Sequence, residues 1–326
     1  MADTTSKPYA NNSDIPNITA GDQVIATVDL GFTWVVRILT FIAAVIIFAM
    51  VVVIGEKAMP SIQQFGLGFI FSQEWDVPGD IFGALPYIYG TLVSSIIALI
   101  LALPVAISVA IVTTEDFLPE WVRSPIAFIV ELLAAIPSVA IGLWGIFVLI
   151  PFLQPIGTWL HGNFGWFPLF GTEPFGPGML PAGAILAIMI VPTIASISRD
   201  VLLSTPQDLR SASMALGATR WETIIGVLFP AAVSGILGAT LLGLGRALGE
   251  TMAVTMVIGN SPQVSLSLLD LASTIPAVLA NEFAEAQDGL HISSLMYLAL
   301  LLFAVTLLVN VAAVFLVRFL GSKGQD

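Results

Sequence analysis

The chain has 326 residues, of which 57% are hydrophobic and only 10% charged, and its net charge is −12. A soluble domain carries about a quarter charged residues, so a soluble globular fold is excluded, and the acidic balance argues against a nucleic-acid partner, which calls for clustered Lys and Arg. With no cysteine, disulfides, thiolate chemistry and cysteine metal sites are ruled out; the two histidines, His161 and His291, fall in separate polar loops, and no metal or bound cofactor is expected.

The first 30 residues are polar, with Lys7 and four aspartates. They lack the apolar core of a cleaved signal peptide, and residues 1–33 read as a mostly disordered cytoplasmic tail. Six apolar blocks follow, at 34–54, 88–112, 124–151, 178–201, 223–259 and 294–320, each long enough to cross roughly 30 Å of hydrocarbon. Two of the six are too long for one perpendicular crossing and are expected to tilt or extend beyond the bilayer. The sequence thus predicts an all-α integral membrane protein, with a transmembrane region over 34–320 and a short cytoplasmic tail over 321–326.

Orientation follows from Lys and Arg in the short loops. With the N-terminus inside, Lys7, Arg37, Arg123, Arg199, Arg210, Arg220, Arg318 and Lys323 all lie at or beyond the cytoplasmic surface, and Lys57 alone lies outside. Both termini are therefore expected in the cytoplasm. The outer segments 55–87, 152–177 and 260–293 hold nine carboxylates, among them Glu74, Asp76, Asp80, Asp270, Glu282 and Asp288. The middle segment is rich in Phe, Trp, Gly and Pro, which fits an interfacial aromatic anchor or a docking surface for an external partner.

The loop at 204–222 is the most informative stretch. Thr205 is placed to cap a helix that begins at Pro206 and ends near Leu216, where Gly217 supplies a left-handed residue. Thr219-Arg220-Trp221-Glu222 reads as a capping box opening the next helix. So short a helix is not stable alone in water; it must lie on the lipid surface or plug into another protein.

Two further features lie at membrane depth. In Leu242 to Asn260, LGLGRALGETMAVTMVIGN, Arg246 and Glu250 are four apart, on one helix face and able to pair, while Gly245 and Gly249 form a G-x-x-x-G that admits a neighbouring helix. Glu131, in VELLAAIPSVAIGLWG, is the third ionisable group, on a span that Pro137 is expected to bend. Each charge left facing lipid would cost about 2.5–3.5 kcal/mol, so all three should face protein or water. They form either a structural ion-pair cluster or a pathway in which Arg246 transiently binds an anion while Glu250 and Glu131 hold its charge in the empty state.

For the 204–222 loop, family resemblance favours the plug into another protein. Ser211-Ala212-Ser213, Gly217 and Val227-Leu228-Phe229-Pro230 resemble the cytoplasmic "EAA" loop of ABC importer permeases, with serine in place of its leading glutamate. Together with GLGRALGETMAVTMVIGN, FGALPYIYGTLVSSIIALILALPVAISVAI and VELLAAIPSVAIGLWGIFVLIP, the chain resembles PstC-type permease subunits of phosphate-specific ABC transporters over most of residues 60–319. The resemblance implies an ABC type I importer permease (MetI-like) fold in a bacterial cytoplasmic membrane. It further implies a heterodimer with a PstA-like permease, a PstB-like ATPase dimer and an extracytoplasmic phosphate-binding protein. The 204–222 loop then becomes a coupling helix docked on the ATPase through Arg210, Ala212, Leu216, Gly217, Ala218 and Thr219. ATP and Mg would bind that partner: this sequence has no Gly-x-x-x-x-Gly-Lys-Ser/Thr phosphate cradle, and the chain itself is not expected to be an enzyme. Importers of sulfate or molybdate share the Arg-Ala-Leu-Gly-Glu core and remain the nearest alternative; a stand-alone secondary transporter is the alternative from another class.

Overall fold

The computed structural model describes residues 19–286 and 289–322. The chain divides into two units, Met1–Val53 and Ile54–Asp326. In the first, α1 (Thr19–Phe65) is already helical at Thr19, so the expected irregular tail does not extend over 19–33; its remainder, with Lys7, lies outside the described residues, as do Asp288 and Lys323. From Leu30 onward this helix presents apolar side chains such as Phe32, Leu39, Phe41 and Phe48, all largely exposed, as a surface met by lipid would be.

The second unit contains the last turns of α1 and α2 (Gly68–Phe71), α3 (Leu85–Thr114) and α4 (Glu120–Ala134). Next, α5 (Ser138–Trp144) runs through a π-turn at Gly145–Leu149 into α6 (Ile150–Phe164). After α7 (Met179–Ser204) and α8 (Gln207–Ala215), α9 (Arg220–Thr223) runs through a second π-turn, Ile224–Leu228, into α10 (Phe229–Gly249). The chain closes with α11 (Met252–Val257), α12 (Ile275–Glu282) and α13 (Leu290–Ser322). Both π-turns directly precede an X-Pro pair, Ile150-Pro151 and Phe229-Pro230. Proline removes a backbone donor and crowds the carbonyl four residues back, and one wider turn accommodates it without breaking the helix.

Among the described residues six helices are long and apolar enough to cross a membrane: Leu30–Phe65, Leu85–Thr114, Ser138–Phe164, Met179–Ser204, Arg220–Gly249 and Leu290–Phe315. The number matches the sequence reading, but the two longest expected spans are broken. The block at 124–151 divides at Ala135–Pro137, because the residue before a proline is driven out of the helical region, and the crossing helix starts at Ser138 with Pro137 at its N-cap. The block at 223–259 ends at Gly249, and α11 is a separate short helix.

Packing centres on α7. Ala98, Ala102, Ala106 and Ala110, spaced by four on α3, are all fully buried and present one smooth stripe. Against the first three lie Ile185, Leu186, Ile190 and Ile194 of α7, and Ala110 joins Leu202, Ala232 and Ile236. On α10, a methyl at Gly235 or Gly243 would strike Val201 or Ile194, so glycine sets the distance between α10 and α7. The start of α7 is tied down as well. The N–H groups of Gly178, Met179 and Leu180 donate to the carbonyls of Val257 (2.9 Å), Asp270 (3.0 Å) and Leu268 (2.8 Å), which satisfies donors a helix start otherwise leaves free.

A second core holds the segment after α2 in place. Phe69 stacks on Tyr297 with centroids 4.5 Å apart, and Trp75 meets Phe82 and Tyr87 edge-on. Glu282 Oε2 accepts from Trp75 Nε1 and faces His291 Nε2, each at 3.0 Å, while His161 Nδ1 lies 2.9 Å from the Phe170 carbonyl, to which it donates. The two histidines therefore sit in separate local networks, within helices rather than loops.

Ala102→Leu should overpack the α3–α7 contact and destabilise the protein by about 1–3 kcal/mol. Thermal unfolding in detergent should show a clear loss of Tm, whereas Ile96→Leu, on the exposed side of the same helix, should leave it nearly unchanged.

Candidate functional site

Arg246 sits in the last turn of α10, on the side not buried against α7's apolar residues. Its Nη1 donates to Thr193 Oγ1 of α7 at 3.3 Å, and the rest of the guanidinium is exposed. The expected one-turn pairing with Glu250 does not form: among the described residues no ion pair joins them. Glu250 lies past the helix end in extended backbone (φ −69°, ψ 126°), and its Oε1 accepts from the Ala253 N–H at 3.3 Å, at the start of α11. Gly249 weakens the helix locally, and the Glu250 carboxylate takes up the Ala253 N–H instead. Among the described residues Gly245 and Gly249 have no neighbour within 4 Å of an added Cβ, so no described helix uses that G-x-x-x-G for close approach.

Glu131 is also away from its expected position on a crossing helix. It belongs to α4, not to a crossing helix, and its Oε1 lies 3.8 Å from Arg199 Nη1 near the end of α7. The three ionisable groups expected in one cluster are thus divided: Arg246 with Thr193, Glu131 with Arg199, and Glu250 at a helix cap.

The loop at 204–222 has the expected plan with a different start. Pro206, not Thr205, is the N-cap of α8; Thr205 Oγ1 donates back to the Val201 carbonyl at 3.3 Å. At the other end Gly217 is left-handed (φ +91°), and the N–H groups of Gly217 and Ala218 bond to Met214 O (3.0 Å) and Ser213 O (3.2 Å), a paired C-terminal cap. The capping box is present, Thr219 N to Glu222 Oε2 at 2.7 Å and Glu222 N to Thr219 Oγ1 at 3.3 Å. Leu216 projects from this turn with 90% of its surface exposed, and Met214 and Trp221 are exposed beside it.

Arg210, read from the sequence as an outward contact, points inward. Its Nη2 lies 2.9 Å from Glu115 Oε1 and donates to the Leu202 carbonyl at 3.2 Å. Nearby, Arg220 Nη1 donates to the Asp116 carbonyl at 2.7 Å, Phe117 packs on Trp221 with centroids 4.9 Å apart, and Arg123 pairs with Asp116 at 2.8 Å. The acidic turn after α3 is therefore clamped to the loop. Sequence reading singled out neither Glu115 nor Asp116; the available signal was an acidic pair directly after an apolar span, opposite a loop rich in arginine.

Comparison with known proteins shows the family and the fold. Residues 102–323 match the family described as binding-protein-dependent transport system inner membrane component. A Mesorhizobium japonicum protein named phosphate transport system permease protein PstC is 42% identical over 91% of this chain and 92% of its own length. Proteins of the same name from Haemophilus influenzae (42% identical, 81% of this chain and 85% of that protein) and Pasteurella multocida (39%, 91% and 94%) are also similar. The chain belongs to the PstC family of binding-protein-dependent transport permeases. Its fold is that of a MetI-like ABC importer permease. A structure titled inward facing conformations of the MetNI methionine ABC transporter superposes with a TM-score of 0.52 at 21% identity, covering 71% of this chain and 91% of that one. A second crystal form of that transporter gives 0.51 at 19% identity, covering 73% and 94%. This permease is accordingly a multi-pass membrane protein, and the matched region includes α7, the 204–222 loop, Arg246 and Glu250.

Glu115→Gln and Arg210→Gln should not be additive. A double-mutant cycle on thermal stability should return a coupling of about 0.5–3 kcal/mol, while Thr219→Ala should remove about 1 kcal/mol through the lost cap.

Proposed function

We propose that this chain is the permease subunit of an ATP-driven importer that moves inorganic phosphate across the bacterial cytoplasmic membrane. The single observation that carries this reading is its 42% identity, over 91% of the chain, to a protein named phosphate transport system permease protein PstC. Arg246 supports it chemically: a guanidinium is always charged and offers a planar fork suited to oxyanions, and among the described residues only Thr193 occupies part of it.

In this reading both termini are cytoplasmic, as the Lys and Arg distribution requires, and α8 with the following turn is the coupling helix. Leu216, the most exposed large apolar residue of the loop, plugs into a separate PstB-like ATPase dimer, which binds ATP and Mg. Ala212, Gly217, Ala218 and Thr219 shape the plug, and Arg210 positions it through Glu115. A PstA-like subunit completes the pathway, and its helices are the ones that approach Gly245 and Gly249. An extracytoplasmic phosphate-binding protein delivers the anion, because an outer face with nine carboxylates and one lysine repels free phosphate. ATP binding opens the permease outward; hydrolysis returns it to the inward-facing state.

Proteoliposomes holding the chain with its permease partner and ATPase, plus the binding protein, should accumulate labelled phosphate only with ATP. Arg246→Ala should reduce uptake at least about 100-fold, the scale of a lost charged contact worth about 3 kcal/mol, while the complex still assembles. Leu216→Asp should abolish ATPase stimulation by the loaded binding protein. Labelled sulfate or molybdate entering in place of phosphate would reassign the cargo, and uptake unaffected by Arg246→Ala would remove that residue from the pathway.

A further inference from the structure

Thr193, Ser196 and Arg199 lie three residues apart along α7, each step turning about 60° around the helix axis, so that Thr193 and Arg199 point about 120° apart. Thr193 is the residue that holds Arg246, and Arg199 follows six positions later, about 9 Å along the helix axis. Two guanidiniums are therefore arranged in series beside the same helix. The sequence reading used Arg199 only as a marker of orientation.

The Arg199–Glu131 contact is not that of a locked structural ion pair. The closest atoms are 3.8 Å apart, the Glu131 side chain is 65% exposed and that of Arg199 34%. Arg199 Nε, like Arg210 Nε, is buried with no hydrogen-bond partner among the described residues, an unusual state for a buried donor.

The pair also faces a space. A cavity of about 360 Å³ is lined by Glu120, Arg123, Ser124, Phe128, Glu131 and Arg199. A narrower recess shares Glu131 and Arg199 with it and reaches Thr113 of α3 and Ser196 of α7. The charged groups around this space are two arginines and two glutamates, and Arg123 is already engaged by Asp116.

We propose that Arg199 is a second anion station in the translocation route, on the side of Arg246 nearer the coupling loop, with Glu131 as its resident counter-ion. This rests on the phosphate-permease reading. An oxyanion leaving Arg246 takes the Nε and Nη edge of Arg199 as the side chain turns to the cavity, and Glu131 is displaced. When the anion leaves, Glu131 returns and neutralises the guanidinium, so that the station releases rather than traps its cargo. Two such sites in series let binding at each be weak enough for exit.

The test uses the complete reconstituted transporter with its binding protein and ATP. Arg199→Gln should lower phosphate uptake at least tenfold while ATPase stimulation by the loaded binding protein stays within about twofold, since the loop and its clamp are untouched. Glu131→Gln should lower the maximal uptake rate together with the half-saturating phosphate concentration, because an unopposed Arg199 retains the anion. The neutral pair Glu131→Gln/Arg199→Gln separates the station from a structural contact. A station predicts that uptake stays at the Arg199→Gln level; recovery to wild-type uptake would overturn the proposal. Should Arg199→Gln fail to assemble, Arg199→Lys decides: it keeps the charge opposite Glu131 but loses the fork, so uptake should fall threefold or more, and wild-type uptake would overturn the station. Failure of the unmodified complex to import phosphate would instead refute the functional reading itself.

Discussion

The close contact of α3 with α7 is the constraint on which the remaining geometry depends. Lipid offers helices no hydrophobic reason to associate, so packing must come from surfaces that fit at short range. The alanine stripe from Ala98 to Ala110 provides such a surface. Because α7 is gripped along its length by α3 and α10 and tied at its start to the carbonyls of 257–270, the positions of Thr193 and Arg199 are fixed to within side-chain freedom. A bulky residue anywhere in that stripe would shift both arginine sites at once.

The breaks in the long apolar blocks have a common origin. A helix in hydrocarbon keeps its backbone satisfied, so it ends only where something else takes over the freed groups. At Pro137 the chain turns because proline and its predecessor cannot hold helical geometry; at Gly249 it turns because Glu250 receives the Ala253 N–H. The charged residues expected deep inside uninterrupted spans are thus at their ends or outside them, where hydration and caps are accessible. That is the lower-energy arrangement for a carboxylate near a membrane.

Much of the plan was legible in the sequence because it depends on neighbours in the chain. Six crossing helices, the left-handed Gly217 and the Thr219–Glu222 box each follow from residues within a few positions of one another. What escaped was whatever depends on distant pairs. Thr193 and Arg246 are 53 residues apart, and neither Glu131 with Arg199 nor Glu115 with Arg210 carries a local signature. The error over Glu250 had a different cause. A spacing of four implies contact only if the helix continues between the two residues, and the glycine at 249 together with a carboxylate able to cap was a stronger signal than the periodicity.

Arg210 touches two partners at once, the carboxylate of Glu115 just beyond α3 and the carbonyl of Leu202 in the last turn of α7. Among the described residues those two helices are also the most intimately packed pair. A push received at the tip of the turn is therefore shared between both members of the pair, as by a crank keyed to a double shaft, and cannot slide one along the other without first tearing the key. Motion delivered from below would rotate or tilt the pair as one solid body, carrying both guanidinium positions along an arc and leaving their separation unchanged.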